Sequence, residues 1–116
     1  LVDTSIWVDH FRRGDNGLAA LLVEGRVLTH PFVIGELACG NLSNREEILR
    51  LLAALPGAEM AGHEEVLSFV DGADLAGRGL GWIDLHLLAS ARLTAVSIWT
   101  RDRAMRREAE RLGVGF

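Results

Sequence analysis

The sequence predicts an α/β fold: a three-layer α/β/α domain with a central parallel sheet of about five strands. Short apolar runs alternate with longer stretches of helical periodicity along the chain. Two of those runs, Leu1-Val2 and Val96-Ser97-Ile98-Trp99-Thr100, end just before an aspartate, Asp3 or Asp102, that opens a helix. Strands that alternate with helices in this way imply a parallel sheet covered on both faces.

The first run passes at Asp3 into a helix expected from Thr4 to about Arg13, and Gly14-Asp15-Asn16-Gly17 then turns the chain. A second helix spans Leu18 to Glu24 and stops at Gly25. Arg26-Val27-Leu28-Thr29 reads as the second strand, and Pro31, at a first helical position, starts a helix to about Leu42. Ser43-Asn44 followed by Glu46-Glu47 opens the next helix, which carries Ile48, Leu49, Leu51, Leu52 and Leu55 as far as Pro56-Gly57. That leucine stripe reads first as core and second as a dimerisation surface. Ala58 to Ala61 is expected as a short third strand, ahead of a helix from His63 to about Ala76. The loop Gly77-Arg78-Gly79-Leu80-Gly81 matches neither phosphate-binding glycine fingerprint and is assigned to positioning a helix from about Trp82 to Arg92. After the Val96–Thr100 strand come an arginine-rich helix, Arg103 to Leu112, and a last strand, Val114 to Phe116.

A chain of 116 residues suits one domain with one core, residues 1–116, and no linker divides it. No apolar run approaches the roughly eighteen residues of a membrane span, and no signal-peptide pattern is present, so a soluble, cytoplasmic protein is expected. Cys39 is the only cysteine; it permits no internal disulfide, lacks zinc-ligand neighbours and is expected as a small core residue. His10, His30, His63 and His86 form no HxxxH or HExxH pair and read as structural or solvated.

Four acids carry the functional argument: Asp3, Glu36, Asp84 and Asp102. Asp3 and Asp102 lie beyond the carboxyl ends of strands, where open α/β sheets bind ligands. Glu36 has Phe32, Val33, Leu37 and Cys39 within four positions and is expected to border the buried stripe of its helix. Asp84 has Leu80, Leu87, Leu88 and Ala91 at helical spacing and is expected to lean inward. Singly, each has an ordinary explanation as a cap, an arginine partner or a dipole charge. Together they would repel, by roughly 1 kcal/mol per pair at about 4 Å in water and roughly 4 kcal/mol at an effective dielectric near 20. Such a group needs a compensating charge, and carboxylates without cysteine or histidine suit Mg²⁺ or Mn²⁺, one or two ions, better than zinc.

The net charge of −4 argues against a nucleic-acid partner until its distribution is considered. All twelve basic residues are arginine. Arg101, Arg103, Arg106, Arg107 and Arg111 flank or follow Asp102, and Arg12-Arg13 closes the first helix, so basic groups are expected around the acids, with forks suited to phosphate. The alternative is a solvated helix face laced by Arg106–Glu110 and Glu108–Arg111 pairs.

Val2-Asp3-Thr4-Ser5-Ile6-Trp7, Gly35-Glu36-Leu37, Asp84-Leu85-His86-Leu87-Leu88-Ala89 and Thr100-Arg101-Asp102, in this order, resemble the PIN-domain family over essentially the whole chain, and in particular its VapC-type ribonuclease toxins. The resemblance implies a metal-dependent endoribonuclease of a toxin–antitoxin pair, hydrolysing RNA phosphodiester bonds with a metal-activated water. It marks Asp3, Glu36, Asp84 and Asp102 as metal-site acids, with Ser5 orienting a carboxylate or water and Thr4 and Thr100 as further hydroxyl support. It also implies a transfer or ribosomal RNA substrate, a cognate VapB-type antitoxin and a homodimer. The chain starts without an initiator methionine and stops a little short of the usual family length, so part of the first strand and a basic or antitoxin-contacting tail are expected outside it.

Two other readings compete. An aspartate-based phosphoryl-transfer domain also places Asp after a first strand, but it needs a lysine this chain lacks, and its phosphatase form needs an aspartate where Ser5 stands. A non-catalytic module would bind RNA through the arginine face, or protein through the leucine helix, with no response to EDTA.

Overall fold

A computed structural model describes residues 1–116. Helices begin where local chemistry can satisfy their first free amides. Asp3, in extended conformation, precedes α1 (Thr4–Arg13). The Asp15 carboxylate accepts from Leu18 N at the start of α2 (Asn16–Val23), two residues earlier than the sequence pattern suggested. The His30 ring accepts from Phe32 N ahead of α3 (Pro31–Cys39), which has proline at its first position. Next come α4 (Arg45–Ala53), α5 (His63–Gly72) and α6 (Trp82–Thr94). Last, Asp102 caps α7 (Arg103–Arg111) by accepting from Met105 N at 2.8 Å.

Some predicted helix ends were too long. α3 stops at Cys39 rather than Leu42, because Gly40 turns to extended backbone. α5 stops at Gly72 rather than Ala76: Asp74 adopts a left-handed φ of 53°, and Leu75 N closes the turn onto Val70 O. Between α5 and α6 the chain uses the freedom assigned to its glycines, with Gly77 and Gly79 at φ of 73° and 83°.

The extended segments are joined by three isolated parallel bridges, Val2 to Trp99, Thr29 to Gly57 and Ile98 to Gly115. Val2 N also donates to Leu28 O, and Asp3 N to Trp99 O. Across the molecule the order is therefore residues 56–58, 27–29, 1–3, 97–99 and 114–115. These are single-residue contacts, and continuous strand ladders of the predicted sheet are not present. The third segment also lies earlier than Ala58–Ala61: Thr29 N donates to Pro56 O and Ala58 N to Thr29 O, because α4 ends at Ala53 and the chain is extended sooner.

The main core gathers Val2, Ile6, Trp7, Val33, Leu37, Leu87, Leu88, Ile98 and Met105 from the segments and α1, α3, α6 and α7. A smaller cluster of Ala61, Val66, Leu75, Leu85 and Ala89 fastens α5 to α6. α6 is buried continuously from Leu85 to Ala91, which makes it the central pillar. In the leucine helix α4 only Leu52 is buried, while Leu51 is exposed. Cys39, expected in the core, is exposed. The buried stripe of α3 is Val33 and Leu37, and a residue two positions past Leu37 points roughly opposite to it. No helix is long and apolar enough to cross a membrane.

Candidate active site

Asp3 ends the first segment at the point where chain connections reverse direction across the molecule: residues 27–29 lie on one side of it and residues 97–99 on the other. Such a reversal opens a crevice at the carboxyl ends of the segments. Asp3 is buried, and its Oδ2 accepts from Ser5 Oγ and from Thr100 Oγ1, both at 2.8 Å. Ser5 Oγ accepts in turn from Arg101 N, and Thr100 Oγ1 from Asp102 N. Two hydroxyls thus tie the first acid to the segment that presents the last one.

Glu36 reaches the same end of α1 through Thr4, whose hydroxyl donates to Oε1 at 2.7 Å. The expectation that Glu36 borders the buried stripe is corrected: the residue is exposed, since Leu37 holds the inward position and its neighbour is turned about 100° away. Asp84, in the first turn of α6, is half-buried as expected and accepts from Gly81 N on Oδ2. Its pKa is raised, first by burial, against the lowering effect of the Gly81 amide, and further by the charges of Asp3 and Asp102. Asp3 and Asp102 therefore both lie within electrostatic reach of Asp84, while Glu36 is connected through Thr4.

One feature is common to all four. Each carboxylate spends one oxygen on a protein hydrogen bond, Asp3 Oδ2, Glu36 Oε1, Asp84 Oδ2 and Asp102 Oδ1, and leaves the other without a protein partner. No arginine pairs with any of them. This hard, all-oxygen donor set without an internal cation fits a divalent metal ion in its chemistry. The acids do not form a closed cage: no three acidic, histidine or cysteine side chains come together as a ready-made ion site.

The expected basic ring is only partly spent on other acids: Arg12, Arg103 and Arg106 form no ion pair, Arg12 lines a groove with Thr4 and Glu36, and Arg106 donates to Thr100 O. Arg101 pairs with Asp9 and with Asp15. Arg107 and Arg111 turn to Glu108, joined by Arg78. Of the two helix-face pairs considered, Glu108–Arg111 forms, at 2.7 Å, and Arg106–Glu110 does not. Glu108 is buried, a fact its spacing could have revealed, since it stands three residues after Met105 and beside Ala109 on the inward stripe of α7. The hydrogen bond from Thr4 to Glu36 had no local signal in the sequence, because 32 positions separate its partners.

The model of the PIN domain matches residues 1–110. The chain belongs to the PIN-domain family. It is also 42% identical, over all of its length and 94% of the relative's, to the protein named ribonuclease VapC32 in two strains of Mycobacterium tuberculosis, CDC 1551 / Oshkosh and H37Rv. Within the family this is a VapC-type chain. No solved structure gives a significant match.

Proposed function

We propose that this PIN-domain chain is the endoribonuclease toxin of a toxin–antitoxin pair, using Mg²⁺ or Mn²⁺, one or two ions, at Asp3, Glu36, Asp84 and Asp102. The observation that carries the reading is the pattern of four acids, each anchored by one oxygen, each with the other oxygen unpartnered, and none paired with an arginine. The near-full-length likeness to a ribonuclease supplies the substrate class, RNA, and the VapC type supplies the partner, a VapB-type antitoxin. The proposed framework is one domain, residues 1–116, whose five extended segments form the centre of a three-layer α/β/α arrangement, and whose working form is a homodimer.

In this reading Asp3, Glu36, Asp84 and Asp102 would hold the ion, which would supply charge to neutralise them, to activate water toward phosphorus and to offset charge on the phosphate oxygens. The chain's part is positioning. Ser5 and Thr100 fix the Asp3 carboxylate from one side so that Oδ1 faces the ligand, and Thr4 does the same for Glu36. The backbone at Gly81 and Met105 fixes Asp84 and Asp102. Each acid is thereby oriented before the ion or the RNA arrives.

The experiment is cleavage of cellular RNA by the purified chain with Mg²⁺ or Mn²⁺, with EDTA, and with Asp3→Asn. The parent cuts only with metal, and Asp3→Asn loses at least about a hundredfold in rate. Parental cleavage by Asp3→Asn, or cleavage indifferent to EDTA, overturns the assignment.

A further inference from the structure

Seven large apolar residues are notably exposed, and only Trp82 among them lies within two positions of one of the four acids. It is the first residue of α6, 39% exposed, two positions before Asp84, or about 3 Å along the helix axis. Its ring has two aromatic neighbours and stays partly open to solvent. His63, the exposed first residue of α5, lies 5.1 Å from it at a 57° tilt. His86, buried, meets it edge-on at 4.7 Å. The row continues inward: His86 packs on Phe32 at 4.7 Å, and Phe32 on His30 at 5.2 Å. His30 is fully buried and anchored by Phe32 N and Ser90 Oγ. Phe32 stands one turn before Glu36 on α3, so the row links the two helices that carry Glu36 and Asp84 and ends at the surface in an indole.

We infer that Trp82, backed by His63 and His86, is a stacking platform for one unpaired base of the RNA strand whose backbone enters the acidic site. The inference rests on the ribonuclease reading above. Charge decides why such a platform is needed. The chain carries −4, and the carboxylates repel a phosphate backbone. Arg78, Arg101, Arg107 and Arg111 are bound to Asp9, Asp15, Asp74 and Glu108, which leaves Arg103 and Arg106 as the arginines beside Asp102 without an ion pair. Stacking on an aromatic face is insensitive to this deficit, and it selects unpaired strands because a base inside a duplex has no free face. A rigid, pre-braced indole loses little freedom when a base covers it.

The test is binding in EDTA, where no cleavage occurs, of a fluorescently labelled single-stranded RNA of about eight nucleotides and of an abasic strand of equal length. Trp82→Ala is expected to weaken binding of the RNA by about fivefold or more, and Trp82→Phe to bind close to the parent. Neither variant should change binding of the abasic strand. His63→Ala, an exposed change that spares the fold, gives a smaller loss in the same direction. The platform is overturned if Trp82→Ala binds the RNA like the parent, or loses both strands equally. It is also overturned if the variant changes the sedimenting mass, which would mean that a second protein copy covers the ring. Cleavage separates the two ideas. A parent that cuts RNA while Trp82→Ala binds normally removes only the platform, and a parent that neither binds nor cuts removes both.

Discussion

Glu108 and the four acids around Asp3 are opposite solutions to one electrostatic problem. Glu108 is 1% exposed, and both of its oxygens are engaged: Arg111 and Arg78 on Oε1, Arg107 on Oε2. The same arginines also bind backbone carbonyls, Arg107 that of Arg78 and Arg111 that of Ala73, so the cluster fastens α7 to the loop leading into α6. The Asp3 group holds four carboxylates, with the charges of Asp3 and Asp102 felt at Asp84, and not one of the four pairs with an arginine. A chain with twelve arginines has the means to neutralise acids, and it does so at Glu108, Asp9 and Asp15. Four carboxylate oxygens stay free of any arginine at the Asp3 group, and none does at Glu108.

Neutralising each site in turn separates the two solutions. Asp3→Asn keeps the oxygen that accepts from Ser5 and Thr100, so melting should stay within about 1 kcal/mol of the parent while cleavage is lost. Glu108→Gln should do the reverse. Removing one partner of a buried ion pair costs about 3–5 kcal/mol, and the three arginines are exposed enough to keep part of their hydration, so roughly 2 kcal/mol is expected here, or about 5–10 °C in melting temperature. Activity per folded molecule should change far less. If Glu108→Gln melts like the parent but no longer cuts RNA, the division between a structural and a functional acid site fails.

These two sites also differ in how far they can be read from sequence. Asp3 and Asp102 announce themselves because a carboxylate follows an apolar run and opens a helix, and α1 begins and ends where that pattern places it, at Thr4 and Arg13. Asp84 is legible from the apolar neighbours of α6. Glu36 is legible only by resemblance, since the residues around it predict more burial than it has. The Glu108 cluster joins residues from 78 to 111, and nothing local shows that Arg78 turns toward α7. The extended segments are so short that each contributes one bridge, which leaves little periodicity to fix where pairing occurs, and the third segment was misplaced by a few residues for that reason.

The two regions also respond to pH, with a smaller effect on stability. His30 has its pKa lowered from 6.5, first by burial and then by the charge of His86. The folded chain resists a proton that the unfolded chain accepts, so this contribution is complete above about 6.5 and is lost as pH falls below it. Glu108 has its pKa lowered from 4.5, chiefly by the hydrogen bond from Arg111 and also by that from Arg107, against the opposing effect of burial. Its contribution is present above 4.5 and is lost as pH falls through the lower folded-state value. His86, its pKa also lowered by burial, acts in the same range and direction as His30, and Asp84, with its raised pKa, opposes Glu108 at acid pH. Melting temperature should therefore fall as pH drops below about 6.5 and again in the acid range, and Glu108→Gln should shrink the acid loss while leaving the upper one. An acid loss unchanged in Glu108→Gln would show that the arginines do not hold the Glu108 charge.

The smallest effect belongs to a pair that resembles the Glu108 cluster in chemistry but not in setting. Arg13 meets Asp9 at 3.5 Å across one turn of α1, with the arginine side chain 76% exposed. Asp9 already has Arg101, and water solvates Arg13 in either state, so little is lost when the contact goes. Arg13→Ala should change stability by less than about 0.5 kcal/mol, and high salt should erase even that. Arg101→Ala gives the useful contrast, since it removes the partner of both Asp9 and Asp15 next to the backbone that bonds Ser5, and should cost about 1 kcal/mol. Equal effects from the two substitutions would mean that position beside the acidic site adds nothing to an arginine pair, and that the contrast with Glu108 is one of burial alone.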